Sequence, residues 1–199
     1  VSIMRKTTVI FVCLTFLLSC VADRDFDSNL SSKNQEDGWV EYNQNDFPQA
    51  LVAFERAVSL NPNLSDAHNG LGWAHLSMSQ VPNTNTQIIA KAQRSFQDAI
   101  LADTQNSDAW IGLANVLFLR RQKPADFEAA IRAIENALIA DRDYFFRHDY
   151  DSIADIHILK AFCYYHLGKK TQADSIIRTV LTSDPINQSA VQLKKLLAF

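Results

Sequence analysis

The chain has 199 residues, 47% of them hydrophobic and 21% charged, with a formal net charge of −3. That is enough apolar material for one domain of ordinary size, and only 5 Gly and 5 Pro argue against long disordered stretches. A mildly acidic chain without a basic stripe argues against nucleic acid as the main ligand; without residues 1–19, which hold Arg5 and Lys6 and no acid, the charge falls to −5.

The first element in chain order is an address. Met4-Arg5-Lys6 is a short positive segment, and Val9–Ser19 is an apolar run of 11 residues. A membrane span needs about 20 apolar residues, so the run reads as the core of a secretory signal. It ends Leu17-Leu18-Ser19-Cys20, which resembles the lipobox of bacterial lipoproteins. The resemblance implies a signal over 1–19, a covalent lipid on Cys20 and a bacterial membrane lipoprotein; an ordinary secretory signal with an incidental Cys is the alternative. By the same analogy Val21 in place of Asp favours the outer membrane, facing the periplasm. Several acyl chains on one residue anchor stably where one would not. No non-protein cofactor beyond this lipid is expected.

With Cys13 removed and Cys20 acylated, Cys163 is left alone in an apolar helix and reads as a buried inert thiol. Residues 20–33 read as lipidated Cys and polar tether, spanning on the order of 20 Å.

From there a small residue, a bulky apolar residue and a second small residue recur: Ala50/Phe54/Ala57, Ala92/Phe96/Ala99, Ala130/Ile134/Ala137 and Ala173/Ile177/Val180. The spacing predicts helices whose small face lets a neighbour approach while the large side chain fills the gap. Each is preceded by a second helical segment carrying Gly38 and Tyr42, Leu71-Gly72, Leu113-Ala114, or Ala161 with Tyr164-Tyr165. The pattern resembles the tetratricopeptide repeat, best over residues 31–64. The resemblance implies an all-α right-handed solenoid over 34–199. Its four repeats fall at about 31–64, 65–106, 107–144 and 154–187, each an A helix and a B helix, with a capping helix at 188–199.

Asn34 and Asp37 stand where the pattern wants an aromatic and a Leu, so the first A helix is expected to be short or frayed. Thr104 and Arg142 replace a terminal Pro, and Lys160 replaces a Leu. Pro48 and Pro124 can start B helices. Ser65-Asp66 and Ser107-Asp108 can cap A helices, and Asn61-Pro62 and Asp184-Pro185 can end B helices.

The first small residues are 42, 38 and 43 apart. Against a period of about 34 there are insertions near Gln80–Thr86, Arg120–Pro124 and Tyr144–Asp151.

In this family A helices line the inner, concave surface. The resemblance places Trp39, Tyr42, Trp73, Leu76, Asn115, Phe118, Phe162, Tyr165 and His166 there, an aromatic stripe suited to a protein or peptide partner. No Lys or Arg occupies these positions, which disfavours a carboxylate clamp. Tyr144, Phe145, Phe146, Arg147 and His148 are candidate contacts in the third insertion.

His148, Asp149, Asp151, Asp155 and His157 match no defined metal-ligand spacing, and no catalytic motif is present. The expectation is an envelope scaffold or adaptor that is not an enzyme and holds no metal. The alternatives are a metal-dependent accessory using the His/Asp stretch and a self-associating lipoprotein, so a homo-oligomer stays open.

Overall fold

The computed structural model describes residues 28–79, 86–121, 123–141, 150 and 152–197. These form nine helices: α1 Ser28–Asn43, α2 Phe47–Leu60, α3 Ser65–Ser79, α4 Thr86–Ala102, α5 Ser107–Arg120, α6 Pro124–Ala140, α7 Ile153–His166, α8 Lys170–Ser183 and α9 Gln188–Leu197. The signal, Cys20 and the first half of the tether lie outside the described residues.

Among the described residues, each helix packs only against helices one or two places away in the chain. That is the contact pattern of a solenoid. The odd-numbered helices touch one another across repeats (α1–α3, α3–α5, α5–α7, α7–α9), whereas α2, α4, α6 and α8 do not. The odd, A-type helices therefore form the inner wall and the B-type helices the outer one.

The recurring triplets are the core. Ala50, Phe54, Ala57, Ala92, Phe96, Ala99, Ala130, Ile134, Ala137, Ala173 and Ile177 are all completely buried, and Val180 nearly so. Four glycines explain how the rings fit. A Cβ on Gly38 or Gly70 would stand 2.6 or 2.3 Å from the ring of Phe54, and one on Gly72 or Gly112 would stand 2.5 or 2.1 Å from the ring of Phe96. Each Phe of a B helix is thus clasped between the A helix of its own repeat and that of the next. In repeat three the large residue is Ile134, and the flanking positions are occupied by Ala114 and Leu159. In repeat four Ile177 is followed at the same place by Leu193 of α9, also fully buried. The C-terminal helix stands in for the A helix of a fifth repeat.

Two expectations need correction. The first A helix is 16 residues long and begins at Ser28, inside the stretch read as tether. Asn34 and Asp37 do not fray it, because they face the open end of the stack, where no earlier helix among the described residues packs. Together with Val40, Glu41, Gln49 and Arg56 they line a hollow of about 240 Å³ there. Lys33 pairs with Asp37 at 3.1 Å along this exposed face.

The capping of α5 also differs. Asn106, not Ser107-Asp108, is the N-cap, its Oδ1 accepting the Ala109 N–H at 2.9 Å. Ser65 instead donates to the Ala99 carbonyl at 2.9 Å and accepts from Asn106 Nδ2 at 2.8 Å, tying two repeats together. Asp46 caps α2 through the Gln49 N–H at 3.2 Å. Pro48 and Pro124 lie in the first turns of α2 and α6, and Asn61 and Asp184 are the C-caps of α2 and α8.

Lys160, which stands where Leu71 and Leu113 stand in the earlier repeats, reaches Glu135 of α6 at 2.8 Å. A polar link replaces an apolar contact where repeats three and four meet. Among the described residues no helix is long and apolar enough to cross a membrane.

Candidate partner-binding surface

The inner wall changes character along its length. In the first two repeats its aromatic residues belong to the core. Tyr42 is 5%, Trp73 2% and Leu76 3% exposed, so these three of the expected groove residues are not surface at all. Trp73 meets Phe96 edge-on at 5.4 Å between centroids, and Tyr42 meets Phe47 at 5.2 Å. The reason is the close approach that the glycines permit: α3 is wrapped by neighbours on both sides, and eight of its 15 residues are buried. Trp39 is half-buried, packed edge-on to Phe54 at 5.1 Å.

Polar rungs cross the same stretch. Asp66 Oδ2 accepts from Gln35 Nε2 at 2.9 Å and from Trp39 Nε1 at 3.1 Å. Asp108, one repeat later in the equivalent place, accepts from the fully buried Asn69 at 2.6 Å. These carboxylates are engaged by the fold and set the register of neighbouring A helices.

In repeats three and four the wall opens. Phe118 of α5 faces Phe162 of α7 at 6.3 Å and His166 at 5.8 Å between centroids. Tyr165 meets His166 at 5.5 Å. His166 is exposed, the other three are half-buried, and Leu119 beside Phe118 is 42% exposed. Four of the nine expected groove residues therefore converge here, with Asn115 one helical turn along α5.

Two residues of this neighbourhood were not foreseen. Phe127 of α6 stacks on His166 at 4.9 Å with planes 8° apart. Tyr150 donates its hydroxyl hydrogen to Asn115 Oδ1 at 2.6 Å. The aromatic at position 127, one turn before Ala130, was the available signal for the first; nothing local pointed to the second.

The turn before Phe127 is braced. Arg120 forms an ion pair with the buried Asp126 and donates to Gln93 Oε1 at 2.9 Å. The other insertion contacts expected of the chain, Tyr144, Phe145, Phe146, Arg147 and His148, lie outside the described residues.

The chemistry available at the cluster is contact rather than reaction. Partial burial, with a smaller push from the Arg121 cation, holds the His166 imidazole below its usual pKa and neutral at neutral pH. Burial raises the Cys163 thiol to about 12, which removes it as a nucleophile. Asp155 accepts from the Ser152 N–H and Oγ at 3.1 and 3.2 Å and so serves the start of α7. His157, on the same helix, is also held below its usual pKa by burial and then by Lys160. His148, Asp149 and Asp151 lie outside the described residues. Among the described residues no group of three His, Cys, Asp or Glu side chains is placed to hold a metal.

Comparison with known proteins agrees with this architecture. Residues 37–79 match the family model described as tetratricopeptide repeat. Among curated proteins none matches the sequence. The crystal structure of MamA protein superposes with a TM-score of 0.66 at 18% identity, covering 85% of this chain and 81% of that one. YrrB, described as a tetratricopeptide-repeat protein with an unusual peptide-binding site, gives 0.64 at 16% identity, covering 88% and 83%. The first tetratricopeptide-repeat domain of Spaghetti (RPAP3), solved with the HSP90 peptide SRMEEVD, gives 0.57 at 13% identity, covering 71% and 96%. Residues 37–79 thus carry a tetratricopeptide-repeat signature, and the described helices share the fold of solved tetratricopeptide-repeat structures.

Proposed function

We infer that this protein is a membrane-anchored adaptor of a bacterial cell envelope that holds a partner protein against the inner wall of repeats three and four. The observation that carries the reading is the accessible cluster of Phe118, Phe162, Tyr165 and His166, in a wall whose first half is closed by its own core. Aromatic rings offer large contact area at small entropic cost, and a neutral imidazole adds one directional hydrogen bond. Solved relatives in fold, YrrB and RPAP3, are described as having peptide sites, which supports the same use here. An apolar or aromatic-bearing segment suits the surface best. No reaction is assigned to it.

The envelope part of the reading rests on the segment Met4–Cys20: the apolar run is too short to span and ends on an acylatable Cys. A Cys20→Ser chain should leave the membrane fraction; if it stays there after a high-salt wash, the lipid is not the anchor. The adaptor part is tested with Phe162→Ala/His166→Ala. Partner recovery from native membranes should fall about tenfold or more while the double variant, less stable through the lost packing of Phe162, remains folded. Full recovery by the folded double variant removes the cluster as the site.

A further inference from the structure

The three most exposed large apolar side chains among the described residues share one edge of the solenoid. Leu101 is 84%, Ile139 80% and Ile186 85% exposed, whereas the other large exposed apolar residues lie between 40 and 53%. Leu101 and Ile139 are equivalent: each follows the last alanine of its triplet by two residues and is the last but one of its B helix, α4 or α6. Ile186 lies in the connection from α8 to α9. Because A and B helices alternate in direction, every B helix ends, and every A helix starts, on this edge. Ser28, where α1 starts, is on it as well, and so is Leu30 at 44% exposure. Side chains this exposed contribute nothing to the core, and repetition at equivalent places in consecutive repeats is not the scatter of a normal surface.

The geometry points to this edge as a lipid-facing surface, on which Leu101, Ile139 and Ile186 seat at the headgroup boundary of the bilayer. The inference rests on the anchor reading above. The chain enters the solenoid on this edge, and the seven residues between Cys20 and Ser28 reach at most about 25 Å even when fully extended. A lipid on Cys20 therefore holds this edge, and not the opposite one, next to the membrane. Charge narrows the kind of surface. Asp103 and Asp184 follow the B helices α4 and α8 on the same edge, which disfavours anionic headgroups, and a zwitterionic surface is the partner it fits. The helices would then stand roughly upright on the membrane, with the aromatic cluster, in the last turns of α5 and α7, at the opposite edge and facing away from it.

The test uses the full chain, produced with its signal in bacterial cells and reconstituted in phosphatidylcholine vesicles that contain a nitroxide-labelled lipid. An environment-sensitive thiol dye is placed through Leu101→Cys or Ile139→Cys, with Val52→Cys on the open N-terminal end as control and the parent chain as blank. Cys163 is fully buried and stays unlabelled. Quenching by the lipid should be several-fold stronger at positions 101 and 139 than at 52, and should weaken when anionic lipid replaces part of the phosphatidylcholine. Equal quenching at all three positions, or a chain that does not associate with vesicles, overturns the proposal. Equal quenching of a membrane-bound chain would leave the edge to a protein partner and the anchor intact. Failure of the anchor is read separately, from the mass of Cys20 and the fractionation of Cys20→Ser. If Cys20 is unmodified but the quenching difference persists, the edge itself binds lipid and the proposal stands.

Discussion

Gly70 lies so close to Phe54 that a methyl group on it would stand 2.3 Å from the ring carbons Cε1 and Cζ. Phe54 comes from the B helix of repeat one and Gly70 from the A helix of repeat two, so this contact sets how closely two repeats stack. In an open helix Gly→Ala would gain about 1 kcal/mol. Here the overlap reverses the sign, because the ring is fully buried and has nowhere to move. Gly70→Ala should destabilise by about 1–3 kcal/mol, measured as a lowered urea midpoint. Phe54→Leu should relieve part of that loss, so the double variant should be more stable than the two single effects summed predict. A stabilising Gly70→Ala would refute the clasp.

Acid should weaken the fold through histidine. Burial, followed by the nearby Lys91 cation, lowers His75 from 6.5 to about 4. The folded pKa lies below the unfolded one, so the unfolded chain takes up the proton first as pH falls. The contribution of His75 is intact above pH 6.5 and is lost progressively from there towards pH 4. His157 and His166 are shifted in the same direction. The urea midpoint should fall between pH 7.5 and 5, and His75→Gln should flatten part of that fall. A midpoint equal at both pH values would contradict this.

Cys163 should serve as a silent reporter of opening between repeats three and four. It is fully buried, and its thiol is pushed up to about 12. In native conditions alkylation should proceed only through opening of α7, hundreds of times more slowly than in urea, or slower still. Lys160→Leu removes the polar link to Glu135 and restores the residue type found in repeats two and three. It should slow alkylation further. Acceleration would show that the ion pair holds this junction.

The helices and the solenoid were legible because the triplets recur and because caps and prolines mark their ends. Three limits were physical. An A helix inside the stack is buried on two sides, so periodicity could not separate Trp73 and Leu76, which are core, from Phe118 and Phe162, which remain partly open. The polar Asn34 and Asp37 look like defects when read in isolation; at an end that no other described helix covers, they are ordinary surface. The pairing of Gly70 and Gly112 with rings 16 residues earlier lies across repeats. The Gly-x-Gly of Gly70 and Gly72 was the one hint of it, since two glycines in a helix interior need a packing reason.

The proposed partner lies on the inner wall of repeats three and four. Site-specific photocrosslinking in intact cells tests it most directly, with the crosslinker at Leu119 beside Phe118, or at the exposed Gln97 on the outer helix α4. A discrete adduct is expected from position 119 that disappears in the His166→Ala background, and none of that mass from position 97. The same adduct from both positions, or one from position 119 that His166→Ala leaves unchanged, would contradict it.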